Sequence, residues 1–197
     1  MYARMLLSLL LAFPALPALA ARSQTITAPA PVPAADPRPK VFLAGSIDNG
    51  AAGNWQAEAA AALVDAGVLL LNPRRPDWNP AWQARSDEPE FVRQVRWELD
   101  ALEQADIVLM YFAPGSQSPV TLLEMGLHAR SGKLLVAAPE GFWRKGNVDA
   151  TADRYGVPRF ASLPALLEAV RMRARALAAR RSDSHDDGAG SDPARVY

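Results

Sequence analysis

The 197-residue chain balances 21 Lys and Arg against 21 Asp and Glu, so no net charge draws it to nucleic acid or to an anionic membrane surface. It holds no cysteine, which excludes disulfides and thiolate metal sites, and its two histidines, His128 and His185, are too few for a histidine-rich metal centre. No metal, no cofactor and no nucleic-acid partner is therefore expected; the expected partner is a small molecule.

Residues 1–20 combine a weakly basic start (Arg4), an apolar run over residues 5–13, then Pro14, Pro17 and Ala18-Leu19-Ala20. The run is too short and too broken by proline to span a bilayer, and Ala18 and Ala20 suit signal cleavage after Ala20. The expectation is an export signal, giving a periplasmic or secreted protein with no stable membrane insertion. The alternatives are a misassigned start, which leaves the protein cytoplasmic, or an uncleaved anchor. Residues 21–39 are rich in Ala, Pro and Thr and read as a tether with no core of its own. Residues 182–197 are rich in Ser, Asp and Gly and read as a disordered tail. Between them, residues 40–181 are enough for one domain with a real core.

Within that domain, strand and helix signals alternate. A short apolar strand over 40–44 runs into Gly45-Ser46-Ile47-Asp48-Asn49-Gly50. An Ala-rich helix over 55–66 is stopped by Gly67, and 68–71 is a second buried strand. Residues 72–80 contain Pro73, Pro76 and Pro80 and cannot be regular structure. A helix over 91–103 precedes a strand over 106–112. After a loop at 113–119 come a helix over 120–131, stopped by Gly132, and a strand over 133–138. The last element is a long helix over 163–181, whose arginines interleave with Ala and Leu as a solvated face does. Strands without strict alternation, separated by helices, imply a parallel sheet covered on both faces. The fold expected is a small doubly wound α/β domain.

Such sheets bind ligands at the carboxyl ends of their strands, and three loops there carry chemistry. The first offers Gly45, Ser46 and Asp48 with flexible backbone N–H groups, but lacks both the GxGxxG spacing and a Walker lysine. The second, the proline-tryptophan loop, supplies Asn72, Asp77, Trp78, Asn79 and Trp82; it is either a rigid packed surface loop or a wall that stacks a flat ring. In the third, Ser118 suits an N-cap and Pro119 the first helical position. That places Glu124 in the second turn, with Thr121 and His128 on its face. His128 reads as an orienting or surface group rather than a base.

Glu124 stands among Leu122, Leu123, Met125 and Leu127. A helix apolar nearly all round is a buried one, and a buried carboxylate is costly without a partner or a job. The partner would be an Arg or backbone donors; the job would be chemistry. Glu98, flanked by Trp97 and Leu99, is placed to point towards the sheet edge, whereas Glu103 reads as solvent face and Asp106 as structural. Two carboxylates at one pocket suit glycosidic-bond chemistry, one attacking the anomeric carbon and the other handling protons or orienting the sugar.

Leu43-Ala-Gly-Ser-Ile47, the run Trp97-Glu98…Ala105-Asp106 and Leu123-Glu124-Met125-Gly126 together resemble the nucleoside 2-deoxyribosyltransferase superfamily. Asn54-Trp55-Gln56 and Trp143-Arg-Lys-Gly-Asn147-Val are similar to its broad deoxyribosyltransferase-like branch. The resemblance covers about residues 40–160 and implies a flavodoxin-like, Rossmann-like three-layer sandwich. It also implies a retaining double displacement. Glu124 would attack the anomeric carbon of a 2′-deoxynucleoside and form a covalent ester, which another base or water then resolves. Glu98 falls where the family commonly has an aspartate. Ser118 falls where transferases carry a sugar-binding aspartate and monophosphate-hydrolysing relatives a serine. Those hydrolases have an arginine where this chain has Asp48, whose charge repels a phosphate and favours an unphosphorylated substrate. Phe42 stands in place of an active-site tyrosine. Asn147 matches a late asparagine lent to the neighbouring subunit, implying a homo-oligomer with shared pockets.

Three readings of function stay open. The first is cleavage or transfer at the N-glycosidic bond of a nucleoside-type substrate. The second is a glycohydrolase of NAD or another N-riboside, since the same carboxylates serve any N-riboside; a requirement for the 2′-hydroxyl would mark it. The third is a catalytically inactive nucleoside- or nucleotide-binding module, for which the Glu124 carboxylate would be dispensable.

Overall fold

Val41, Phe42, Leu43 and Ala44 are all fully buried, as consecutive residues of a central parallel strand must be when helices cover both faces. In the computed structural model, which describes residues 22–48 and 52–186, this run is the middle of strand β2 (Lys40–Gly45). It follows β1 (Gln24–Thr27) and precedes β3 (Leu69–Asn72), β4 (Ile107–Tyr111), β5 (Leu134–Ala137) and β6 (Arg159–Phe160). The strands lie in the order β1-β3-β2-β4-β5-β6, and every neighbouring pair is parallel. The helices are α1 (Trp55–Ala62), α2 (Pro89–Gln104), α3 (Pro119–His128), α4 (Lys145–Tyr155) and α5 (Leu163–Asp186).

The period of two along each strand divides the core in half. Val41, Leu43, Leu109 and Leu135 pack with Ala59 and Leu63 beside α1 and with Leu166 and Val170 of α5. Phe42, Val108, Met110 and Val136 pack with Trp97 of α2, Met125 of α3 and Val148 of α4. The result is the doubly wound three-layer sandwich that the sequence implied, of the flavodoxin-like or Rossmann-like kind. From β2 the chain crosses to β3 on one side, then returns past β2 to β4 on the other. Where the order reverses, the loops leaving β2 and β4 diverge and open a crevice at the carboxyl edge.

The structure differs from the sequence expectation in four places. The described part of the expected tether, residues 22–39, is not a segment without a core. Gln24–Thr27 add an edge strand, in register with Leu69–Asn72, and Ala28 is buried beside it. Trp97 Nε1 donates to the Ala30 carbonyl at 2.7 Å, tying this segment to α2. The strand carries no apolar run, because an edge strand of four residues buries little. Helix α4 and strand β6 were not expected either; α4 buries only Val148 and Ala152, so its sequence shows almost no apolar stripe. Helix α5 continues to Asp186, through the first residues of the expected disordered tail. Helices α1 and α3 each stop short, at Ala62 and His128. The expected export signal and residues 187–197 lie outside the described residues. No helix among the described residues is long and apolar enough to cross a membrane.

Candidate active site

Strand β2 delivers its carboxyl end to the crevice through Gly45. A Cβ here would lie 2.3 Å from the Tyr111 carbonyl oxygen and 2.6 Å from the Trp55 ring, so only glycine fits. The next residue, Ser46, is wholly buried and accepts a hydrogen bond from Ala113 N at 2.8 Å. Its hydroxyl also meets those of Ser116 (2.7 Å) and Ser118 (2.6 Å), which are 2.9 Å from each other. This hydroxyl triangle binds the end of β2 to the loop before α3. Ser118 occupies the N-cap position of α3, in the left-handed region at φ 46°, but its side chain makes no capping bond. The negative group at that helix end is Asp48, whose carboxylate accepts from Gln117 N (3.0 Å) and Ser118 N (3.4 Å).

These elements close over a cavity of about 540 Å³, the size range of a small-molecule site. Phe42, Gly45, Ile47 and Asp48 line it from β2 and its loop, and Ser118, Val120, Thr121 and Glu124 from α3. Phe91, Gln94 and Glu98 come from α2, and Arg74, Arg75 and Trp78 from the proline-tryptophan loop. The two carboxylates singled out in the sequence therefore share one cavity. Glu124 is 8% exposed, and its carboxylate has no hydrogen-bond or ion-pair partner among the described residues. The alternative of a structural glutamate held by an arginine or by backbone donors is not what the structure contains.

Electrostatics follow from this placement. Burial, and secondly the charge of Glu98, push the Glu124 carboxyl up to about 8. Burial also raises Glu98, against the opposing effect of a hydrogen bond from Gln94 Nε2 at 2.9 Å. The same amide nitrogen donates to the Pro73 carbonyl at 2.8 Å, so Gln94 joins Glu98 to the proline-tryptophan loop. The two carboxyls influence each other, so their protonation is coupled.

The proline-tryptophan loop is both packed and a wall. Arg75 grips Asp77 through Nε (2.9 Å) and Nη2 (2.8 Å) and lies 5.0 Å over the Trp82 ring, which meets Trp78 edge-on. Trp78 remains half-buried against the cavity. Of the other residues considered, Ser46 does not line the cavity. Asn79 is exposed and accepts from Ala81 N in a turn. Asn147 is exposed on α4, away from the cavity of its own chain. His128 is buried, not on the surface, and burial lowers its affinity for a proton; it does not reach the cavity. Asp106 is structural, accepting from Lys40 N at the opposite edge of the sheet. Among the described residues no group of three or more His, Asp or Glu could hold a metal.

Sequence reading missed Arg74, Arg75 and Gln94. Gln94 stands one helical turn before Glu98, so a search for polar neighbours at a spacing of four would have found it. The arginines were passed over as part of an irregular loop.

Fold and cavity together define a parallel α/β protein with its ligand crevice at the switch point and a carboxylate pair inside. Residues 38–142 match the family described as nucleoside 2-deoxyribosyltransferase like, and the chain belongs to that family. A general role in nucleoside glycosyl transfer goes with it. No curated protein matches the chain.

Proposed function

We propose that the protein cleaves or transfers the N-glycosidic bond of a nucleoside-type substrate through a covalent glycosyl ester on Glu124. The observation that carries this is the unpartnered, buried Glu124 carboxylate facing a nucleoside-sized cavity beside Glu98. In the first step a Glu124 carboxylate oxygen attacks the anomeric carbon, and the carbon–nitrogen bond breaks with its electron pair going to the base. As positive charge develops on the sugar, the proton of the pair passes from Glu124 to Glu98, which delivers it to the base nitrogen. In the second step Glu98 takes a proton from an incoming base or water, which attacks the same carbon and frees the Glu124 carboxylate. Positive charge developing on the sugar favours the ionised form of Glu124 when it is needed. Asp48 in the cavity wall disfavours a phosphorylated sugar.

The proposed assembly is a homo-oligomer. Val120, Leu123 and Leu127 present an apolar stripe on the outer face of α3, 58%, 63% and 59% exposed, next to the mouth of the cavity. Asn147 would then serve a neighbouring subunit. The proposed setting is outside the cytoplasm, after removal of residues 1–20.

The non-catalytic reading draws support from the Glu124 carboxyl, which burial and Glu98 push up to about 8 and so favour in its neutral form at pH 7. The same experiment decides both. Purified protein is incubated with 2′-deoxynucleosides, ribonucleosides and NAD, with and without free adenine, and base release and exchange are followed by chromatography. Exchange lost in Glu124→Gln supports transfer, and release alone supports hydrolysis. A requirement for the 2′-hydroxyl moves the reading to the NAD or N-riboside class. Turnover unaffected by the substitution removes Glu124 from the mechanism.

A further inference from the structure

Arg74 and Arg75 stand side by side in the cavity wall but are held in opposite ways. The fork of Arg75, its Nε and Nη2, is occupied by the two oxygens of Asp77. Arg74 is anchored through Nη1 alone, to the carbonyls of Gly53 (2.8 Å) and Ala52 (3.4 Å) and to Gln56 Oε1 (3.4 Å). All three acceptors are neutral, and no carboxylate lies within ion-pair distance among the described residues. Its Nε and Nη2 edge, the pair of parallel donors that suits bidentate recognition, has no partner there. Gln56 adds a second sign of arrangement. It is completely buried, with its oxygen turned to Arg74 and its Nε2 left unpaired. An unmade hydrogen bond of that kind is costly and is tolerated where it fixes something else.

We propose that Arg74 reads the leaving base, selecting one that presents two adjacent acceptors, as the O6 and N7 edge of a 6-oxopurine does. This rests on the glycosidic reading of the same cavity. Trp78, four residues further along the loop, supplies the ring on which the base lies, and Glu124 and Glu98 take the sugar end. The guanidinium keeps its proton throughout. It donates two hydrogen bonds to O6 and N7 while the electron pair of the broken bond arrives on the purine ring, and Glu98 protonates the nitrogen that leaves. An adenine base offers a donor where O6 would be, so the fork meets one acceptor and one N–H.

The test uses the full protein with two free bases, hypoxanthine and adenine, binding followed by tryptophan fluorescence. Wild type is expected to bind hypoxanthine on the order of 10- to 100-fold more tightly than adenine. Arg74→Met, which keeps the apolar length without the donors, is expected to abolish most of that preference, and Arg74→Gln, whose amide pairs with the N6 and N7 edge of adenine, to remove or reverse it; circular dichroism checks that both variants fold. In turnover, the ratio of kcat/KM for 2′-deoxyinosine to that for 2′-deoxyadenosine is expected to fall in both variants along with the binding preference. Equal affinity of wild type for the two bases, binding of neither, or a preference that survives in Arg74→Gln overturns the assignment. A binding preference that follows Arg74, with no base released from any nucleoside, upholds it and sinks only the catalytic reading.

Discussion

Replacing Glu124 with glutamine should make the protein more stable, and by an amount that grows with pH. The carboxyl is shifted from its ordinary 4.5 to about 8 in the folded chain, chiefly by burial and then by Glu98. The folded state therefore holds a proton on this group that the unfolded state has lost. For a carboxyl whose folded pKa is raised, stability is highest below the unfolded pKa and falls as pH rises through the window from about 4.5 to 8. At 1.36 kcal/mol per pKa unit the full shift corresponds to about 5 kcal/mol. Water in the cavity and relief of the coupling to Glu98 reduce this to about 2–4 kcal/mol. Glutamine has the same shape and no titration, so it escapes the loss. Urea unfolding of both proteins at pH 4.5, 6.5 and 8.5 reads the effect. The variant should match wild type at the lowest pH and exceed it by about 2–4 kcal/mol at the highest. A stability difference that does not change with pH would refute the raised pKa, and with it the claim that this carboxylate lacks a compensating partner.

Three more outcomes follow from the same geometry. Glu98→Gln removes the proton carrier and one like charge, so base release should slow by about 10²- to 10⁴-fold while the Glu124 carboxyl moves down; a pH–rate profile measures both. Gly45→Ala forces a Cβ into the Tyr111 carbonyl and the Trp55 ring, and should cost about 3 kcal/mol or more, measured by denaturant midpoint. Asp48→Asn keeps a hydrogen-bonding oxygen for Gln117 N but removes the charge, so it should lose only about 1 kcal/mol and accept a 5′-monophosphate substrate that wild type turns over poorly; comparing kcat/KM for the two substrates checks it.

The sheet was legible because its strands are short runs such as Val41–Phe42–Leu43, buried on both faces and separated by Ala- and Leu-rich helices. The alternation of strand and helix placed the site at the carboxyl edge, whereas the strand order, and so the point where it reverses, came only with the structure. Glu124 stood out because an apolar helix advertises any charge it contains. The segments that escaped notice are those whose own sequence buries little. Strand β1 contributes Gln24 to Thr27 to an edge, and α4 buries two residues, so neither leaves a periodic pattern. Contacts made by backbone were invisible for a related reason. Ser118 is at the N-cap as its position before Pro119 implied, yet the group serving that helix end is Asp48, 70 residues away in the chain. Arg74 and Arg75 look alike in sequence, and only the partners of their guanidinium forks distinguish an occupied arginine from an open one.

The central claim is a glycosyl ester on Glu124, and rapid quenching followed by peptide mass mapping tests it most directly. Protein mixed with 2′-deoxyinosine for less than one turnover should carry one added deoxyribosyl group on the peptide holding Glu124, absent in Glu124→Gln, and the product should keep the anomeric configuration of the substrate. Base release with no adduct and with inverted configuration would contradict the account, because it would mean that water or the acceptor attacks the sugar directly.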